Sequence, residues 1–500
     1  MAIRRVRNKK TLGPIIIMMI ISVVIMVLSF ILSKIGIQAT LTEAGTSENT
    51  IVTVNNIFSR KGIQYIFGNA VSNFQNMEPL AYIAISLIAV SILEASGLLK
   101  HLFGFLKGLK PSFVTFLVLF ISIVSTLFLD YGYTILLPLV AILYKTLNRE
   151  PKLGIMTVFI GITAGYGAGF LYNYQDVVLG NLTEASAVGL ITNYSFDRWS
   201  MVFITTLSSL VLSIVGTFAI EKYLTKKVKK VEDNELIVST KALQVTGIVF
   251  AVLLLLTIYS IIPGLPFSGL LLAPNSSGYM NKLFSSTSPF REGFLVLFVV
   301  FSLICGYVYG KISRNIKNSR EYNSAISLVF KGTGFIFAGL FFASIMLGIL
   351  EWTNISTVLS LKIVNLFSNV KMTGIFLIVL MFIVFTIITI LNPSTVANWT
   401  LVSPIFVPLA IRANISPSFA QMIFKAADSI GKCLTPFYIY LIVMLGFLYK
   451  YDTDGEELEL FGTMKKIMPV IIWMSIAWII IIVGWNLSGL AMGIQTYTTL

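Results

Sequence analysis

Lys425, Asp428 and Lys432 interrupt a stretch that is otherwise apolar, and their spacing of three and four puts all three on one face of a continuous helix. One acid between two bases leaves a surplus positive charge. An ammonium facing a cavity at membrane depth would lower the cost of bringing a carboxylate there, so the pattern suits an anionic ligand; the alternative is an internal salt bridge that touches no ligand. A second acid, Asp130, sits in Phe128-Leu129-Asp130-Tyr131-Gly132-Tyr133 with apolar residues on both sides. A carboxylate in such surroundings either titrates a proton or coordinates a cation, unless it only caps a turn. Tyr133 is placed to donate a hydrogen bond nearby, with packing as the plainer reading.

Backbone that is loose inside an apolar run is the second signal. Gly431 and Pro436 predict unwinding between Asp428 and Pro436, which would expose carbonyls and Thr435 to an ion, with Ser429 beside them. The glycines of residues 161–169, Gly165 and Gly167 among them, predict either close helix packing or an unwound stretch facing Asp130. A nucleotide loop is excluded there because no strand precedes it. Trp399 follows Asn398 just beyond a break at Asn392-Pro393-Ser394, where an indole can stack on an aromatic ligand or simply pack.

Few other chemistries have material. The single histidine, His101, and two cysteines inside apolar runs, Cys305 and Cys433, leave no metal cluster, no disulfide framework and no nucleophile–histidine pair. An intramembrane enzyme is thereby set aside, no cofactor is expected and no metal site is assigned. A channel remains the distinct alternative, recognisable by flux independent of any gradient.

The elements that must position these residues are membrane spans. Of 500 residues 56% are hydrophobic and 12% charged, far too little charge for a soluble surface, and a mean hydropathy of +0.88 shows that the excess runs through the whole chain. Apolar runs predict nine spans at 13–36, 78–99, 153–175, 199–221, 243–262, 291–311, 333–350, 418–449 and 467–494. Residues 111–147 and 372–411 are longer and broken in the middle, at Leu129-Asp130-Tyr131-Gly132 and at Asn392-Pro393-Ser394, as re-entrant hairpins would be. Lys and Arg concentrate in the segments this arrangement puts in the cytoplasm, beginning with Arg4, Arg5, Arg7, Lys9 and Lys10, so the N-terminus is expected inside and the C-terminus outside. The net charge of +14 is accounted for the same way: the run Lys226, Lys227, Lys229 and Lys230 reads as a topology signal against lipid headgroups, and no nucleic-acid partner is expected. Residues 111–221 and 372–500 each hold a broken hairpin, an interrupted span and a plain span, entered from opposite sides, which predicts inverted repeats. Residues 1–110 then form an N-terminal unit and 222–371 a central one. The fold class is an all-α polytopic membrane protein.

Several of these stretches resemble the p-aminobenzoyl-glutamate transporter (AbgT) family. The resemblance lies in Ser-Thr-Val-Ala-Asn-Trp-Thr-Leu-Val-Ser-Pro-Ile-Phe-Val-Pro from Ser394 to Pro408, in Ala427-Asp428-Ser429 followed by Thr435-Pro436, in Asp130-Tyr131-Gly132-Tyr133 with Leu137-Pro138-Leu139, and in Glu94, Ser96, Gly97 and Leu98. It implies nine transmembrane helices, two helical hairpins, a homodimer in the plasma (inner) membrane, and transport coupled to protons or sodium. The cargo it implies is a folate-related aromatic glutamate moving inward or a sulfonamide-type antimetabolite moving outward. It also implies roles for Asp130, Asp428, Trp399, Thr435 and Pro436. This chain departs from the family pattern at Thr389, where an asparagine is expected and Asn392 stands three residues on, at Asn398 in place of a lysine, and at Lys432 in place of an asparagine. An ammonium in place of a neutral oxygen ligand argues against sodium at that spot, so a proton is the preferred coupling ion.

Overall fold

The computed structural model describes residues 12–42, 49–128, 130–171, 174–225, 236–274, 278–285, 287–367, 371–452 and 459–500. The basic clusters Arg4 to Lys10 and Lys226 to Lys230, and Leu129 at the first break, lie outside the described residues. Helix α1 (Pro14–Ile35) is followed by an antiparallel ribbon of β1 (Gln38–Thr42) and β2 (Asn49–Thr53), with Gln38 paired to Thr53 and Thr42 to Asn49. Then come α2 (Arg60–Gln75), α3 (Glu78–Ala95), α4 (Leu98–Gly104), α5 (Pro111–Val124), α6 (Tyr131–Thr146), α7 (Pro151–Ala164), α8 (Tyr174–Ala187) and α9 (Val202–Tyr223). The middle of the chain holds α10 (Thr240–Ile261), the short α11 (Tyr279–Phe284) and α12 (Pro289–Glu292), α13 (Phe294–Ser313), α14 (Ser319–Leu328), α15 (Gly334–Trp352) and α16 (Ile355–Phe367). The last elements are α17 (Gly374–Leu391), α18 (Thr395–Arg412), α19 (Pro417–Leu434), α20 (Ile439–Lys450) and α21 (Leu460–Ser488).

Among the described residues nine helices are long and apolar enough to cross a membrane, the number expected, but not the same nine. The span expected at 153–175 stops at Ala164, because Gly165 and Gly167 follow, and α7 is too short to cross alone. The span expected at 418–449 is two helices, α19 and α20, meeting at 45°. The first arms of the two broken stretches, Pro111–Phe128 and Gly374–Leu391, take their places in the count. Both breaks fall where the sequence puts them, with a 3-10 turn at Ser125–Phe128 leading to Asp130, and residues 392–394 between α17 and α18.

Two helices form the interior. Every residue of α19 from Pro417 to Cys433 is buried, and so is α7 from Lys152 to Ala164. Around them pack α5, α6, α17, α18, α20 and α21, while α1 and α10 present mostly exposed apolar residues, as helices against lipid do. Helix α8 is a correction. The region after residue 175 reads as an outer loop, yet α8 packs on α18 and α19 and buries Asp176, Leu179 and Thr183. Its mixed polar and apolar composition hides it from hydropathy.

One ion pair pins the two central paths together at their ends. Lys152, in the first turn of α7, puts its Nζ 2.6 Å from Asp452 Oδ1 just past α20, with the side chains 4% and 8% exposed. Breaking a pair this buried by removing one partner typically costs about 3–5 kcal/mol. Lys152→Met should therefore lower the thermal unfolding temperature clearly, and the exchange Lys152→Asp with Asp452→Lys should recover most of the loss; equal unfolding temperatures for the single variant and the native chain would deny the pair this role.

Candidate functional site

Helix α19 is capped by Ser416, whose hydroxyl accepts the Phe419 N–H at 3.3 Å, and begins at Pro417. It ends at Leu434 because Pro436 forces the residue before it into an extended conformation, and Thr435 has φ −108° and ψ 136°. Thr435 Oγ1 donates to the Ile390 carbonyl at 2.8 Å and accepts the Phe437 N–H at 3.3 Å, satisfying backbone that the break leaves open. The unwinding predicted between Asp428 and Pro436 is thus confined to residues 435–438. Asp428 and Lys432 project from intact helix.

Asp428 is wholly buried and saturated. Its Oδ1 accepts Thr389 Oγ1 at 2.9 Å and its Oδ2 accepts Thr395 Oγ1 at 2.7 Å. Lys432 Nζ lies 3.0 Å from the same Oδ2, donates to Thr395 Oγ1 at 2.5 Å and stands 3.8 Å above the centroid of the Tyr166 ring. The approach of α17 that brings Thr389 to Asp428 needs Gly431, since a Cβ there would sit 2.5 Å from Thr389 Cβ.

Lys425 points elsewhere on the same buried helix and forms an ion pair with Asp176 of α8. The surplus positive charge inferred from α19 alone is therefore cancelled, and the argument for an anion that rested on it falls away. Asp176 is the principal residue that sequence reasoning missed. Its signal was indirect: an ammonium at membrane depth requires a partner, and the segment after the glycines carries an acid. Around this pair Gln421 Nε2 donates to the Asp176 carbonyl at 3.1 Å and Thr183 Oγ1 donates to Gln421 Oε1 at 2.6 Å.

The glycine segment does unwind. Trp478 of α21 donates its indole N–H to the terminal Ala164 carbonyl of α7 at 2.9 Å, and Gly167 N donates to Ser429 Oγ at 2.7 Å. Gly165 lies against Ile123, and a Cβ on Gly167 would come within 2.8 Å of the Lys425 carbonyl, so the loose segment is pressed on the backbone of α19.

Asp130 begins α6 but makes no capping hydrogen bond, which removes the simple turn-cap reading. Its Oδ1 is buried with no hydrogen-bond partner, as is the Tyr440 hydroxyl beside it, and Lys432 is the cation whose field reaches it. Tyr133 Oη is 2.9 Å from both Thr163 Oγ1 and Tyr438 Oη, and its ring stacks on Tyr440 with centroids 4.1 Å apart. The break after α5 and the break after α19 therefore meet through tyrosines.

At the third break Asn392 Oδ1 accepts the Ser394 N–H at 3.1 Å, and Asn398 Nδ2 donates to the Asn392 carbonyl at 2.6 Å, leaving Asn398 Oδ1 buried and unpaired. Ser394 itself is exposed. Trp399 is wholly buried, its ring 4.7 Å from that of Phe424 and 6.1 Å from that of Phe385, and its N–H donates to the Leu179 carbonyl and to Thr183 Oγ1 at 3.1 and 3.0 Å. It clamps α18 to α8. Among the described residues no group of His, Cys, Asp and Glu is arranged to hold a metal ion, and His101 pairs with the Tyr309 hydroxyl at 2.8 Å.

Broken helices that converge inside a bundle of membrane spans, with charges buried among hydroxyls, are the architecture of polytopic membrane transporters, and the family match places this chain among membrane transporters of small substrates rather than enzymes. The chain belongs to the AbgT putative transporter family, which matches residues 2–500. It is 25% identical over 515 residues to the p-aminobenzoyl-glutamate transport protein of Escherichia coli (strain K12), covering 100% of this chain and 96% of that protein. The fold is similar to that of the Alcanivorax borkumensis YdaH transporter, a structure described as revealing an unusual topology, with a TM-score of 0.51 and 22% identity over 97% of this chain and 100% of that one. Neisseria gonorrhoeae MtrF, described as illuminating a class of antimetabolite efflux pumps, matches with a TM-score of 0.49 and 24% identity over 96% of each chain.

The clamp makes a measurable distinction. Trp399→Phe keeps the ring contacts and loses the N–H bonds, at a cost of about 1 kcal/mol, whereas Trp399→Ala empties the space at about 3–5 kcal/mol. Thermal unfolding of the purified variants should rank native, Phe, then Ala; an Ala variant as stable as native, but deficient in ligand binding, would replace the clamp with a ligand-stacking role.

Proposed function

We propose that this protein is an ion-coupled secondary active transporter of p-aminobenzoyl-glutamate or a related aromatic or dicarboxylate anion, with a proton as the coupling ion in preference to sodium. In this reading α5/α6 and α17/α18 are re-entrant hairpins of two inverted repeats. The chain lies in the plasma membrane with its N-terminus in the cytoplasm and its C-terminus outside, and it works as a homodimer. The observation that carries the proposal is the Asp130 Oδ1 atom, buried with no hydrogen-bond partner at a helix break, beside a cluster in which Lys425 and Lys432 are each paired with an acid. Lys425 is paired with Asp176 and Lys432 with Asp428, so a proton on Asp130 removes a negative charge that neither of these pairs cancels. A bare carboxylate at that depth costs at least a few kcal/mol, which makes proton occupancy a condition for closing the site. The name of the E. coli relative and the tyrosine rings around Lys432 support an aromatic cargo.

The same charge balance favours a second reading. With Lys425 and Lys432 both paired, no ammonium is left over for a dicarboxylate, and a sulfonamide-type antimetabolite exported in exchange for protons places a smaller demand on the site. Proteoliposomes holding the purified protein separate the two. Labelled p-aminobenzoyl-glutamate should enter when a proton gradient is imposed, and Asp130→Asn should reduce that uptake to the level of empty vesicles. Undiminished uptake by the variant would end the coupling role of Asp130, and sulfonamide extrusion without glutamate uptake would establish the export reading.

A further inference from the structure

We infer that the Lys432 ammonium is a built-in cation, filling the place on Asp428 that a sodium ion would otherwise take and so making the site indifferent to sodium. Asp428 is wholly buried, and apart from Lys432 its oxygens receive only the neutral hydroxyls of Thr389 and Thr395. Those hydroxyls donate their protons to the carboxylate and keep oxygen lone pairs free, and Thr395 Oγ1 turns one toward Lys432 Nζ at 2.5 Å. The ammonium thus sits against a carboxylate oxygen, a hydroxyl oxygen and the face of Tyr166, with the Tyr438 ring centroid 5.7 Å away. Carboxylate and hydroxyl oxygens are also the ligands a hard metal cation selects.

The charge is tethered four residues along the same unbroken helix, so it stays with Asp428 for as long as α19 stays wound. A second cation on the same carboxylate would meet the ammonium at close range in a water-poor interior, where like charges repel strongly. Asparagine at position 432 would withdraw the charge and add an amide oxygen. The carboxylate, the two threonine hydroxyls and that amide would then form an all-oxygen shell of net charge −1, suited to one monovalent cation. The consequence for coupling rests on the transport reading above, but occupancy of the site does not.

The test is thermal unfolding of the detergent-purified protein in sodium chloride against potassium and choline chlorides at equal ionic strength, with no substrate present. The native protein should unfold at one temperature in all three salts. Lys432→Asn should gain a saturable, sodium-selective rise of about 2 °C or more, and Lys432→Asn with Asp428→Asn should lose it. Lys432→Gln, which also supplies an amide oxygen, provides a second chance of a well-behaved variant, and a variant that can be purified only in sodium supports the inference as well. A sodium-selective rise in the native protein overturns it, and so do folded amide variants that show none. Failure of the proteoliposome assay would count against the transport reading and leave this result standing.

Discussion

Charge buried at membrane depth has to be balanced inside the protein, and that constraint organises the interior around α19. Its sequence is strongly two-sided, yet it is enclosed on all sides, so its polar face meets protein instead of water. Each polar group on that face therefore dictates a neighbour. Lys425 requires Asp176 and so draws in α8, Asp428 requires Thr389 and Thr395 and so fixes α17 and α18, and Ser429 takes the Gly167 N–H and so holds the unwound end of α7. Removing one partner leaves a desolvated charge rather than a vacant contact, which makes the arrangement specific.

The sequence disclosed most readily those features that follow from composition. Apolar runs located α1, α9, α10, α13, α15 and α21, and the breaks at Asp130, Asn392 and Pro436 followed from turn-forming residues within such runs. Reading failed where polarity is neutralised by contact. Helix α8 carries Asp176, Thr183 and Ser186 and resembles a loop by hydropathy, but Lys425, Gln421 and Ser403 satisfy those groups from other helices. No local pattern reports a partner that is more than 200 residues away. The same limit explains the false surplus of positive charge: the two lysines were visible along α19, and the acid that cancels one of them was not.

Tolerance of broken helices has a comparable origin. At the end of α7 the Ala164 carbonyl is met by Trp478, and at the end of α19 Thr435 serves both the Ile390 carbonyl and the Phe437 N–H. Side chains from neighbouring elements thus replace the ladder bonds that glycine and proline remove. Such ends are cheaper to rearrange than intact helix, because a side-chain bond can be exchanged without unwinding a turn. The breaks also converge, since Tyr133 joins α6 to α7 through Thr163 and to the α19–α20 break through Tyr438.

Asp130 and Asp428 show how one residue type takes two roles. Asp428 has a hydroxyl on each oxygen and an ammonium on one of them, so both of its oxygens meet fixed donors. Asp130 has a buried oxygen, Oδ1, with no hydrogen-bond donor, beside the Tyr440 hydroxyl, and the lysine whose field reaches it is ion-paired with Asp428. A proton arriving at Asp130 would relieve the deficit directly, because a protonated carboxyl gains a donor and loses its charge in the same event. The lysine that pairs with Asp428 also reaches Asp130 through its field. Any change at position 432 alters both carboxylates at once.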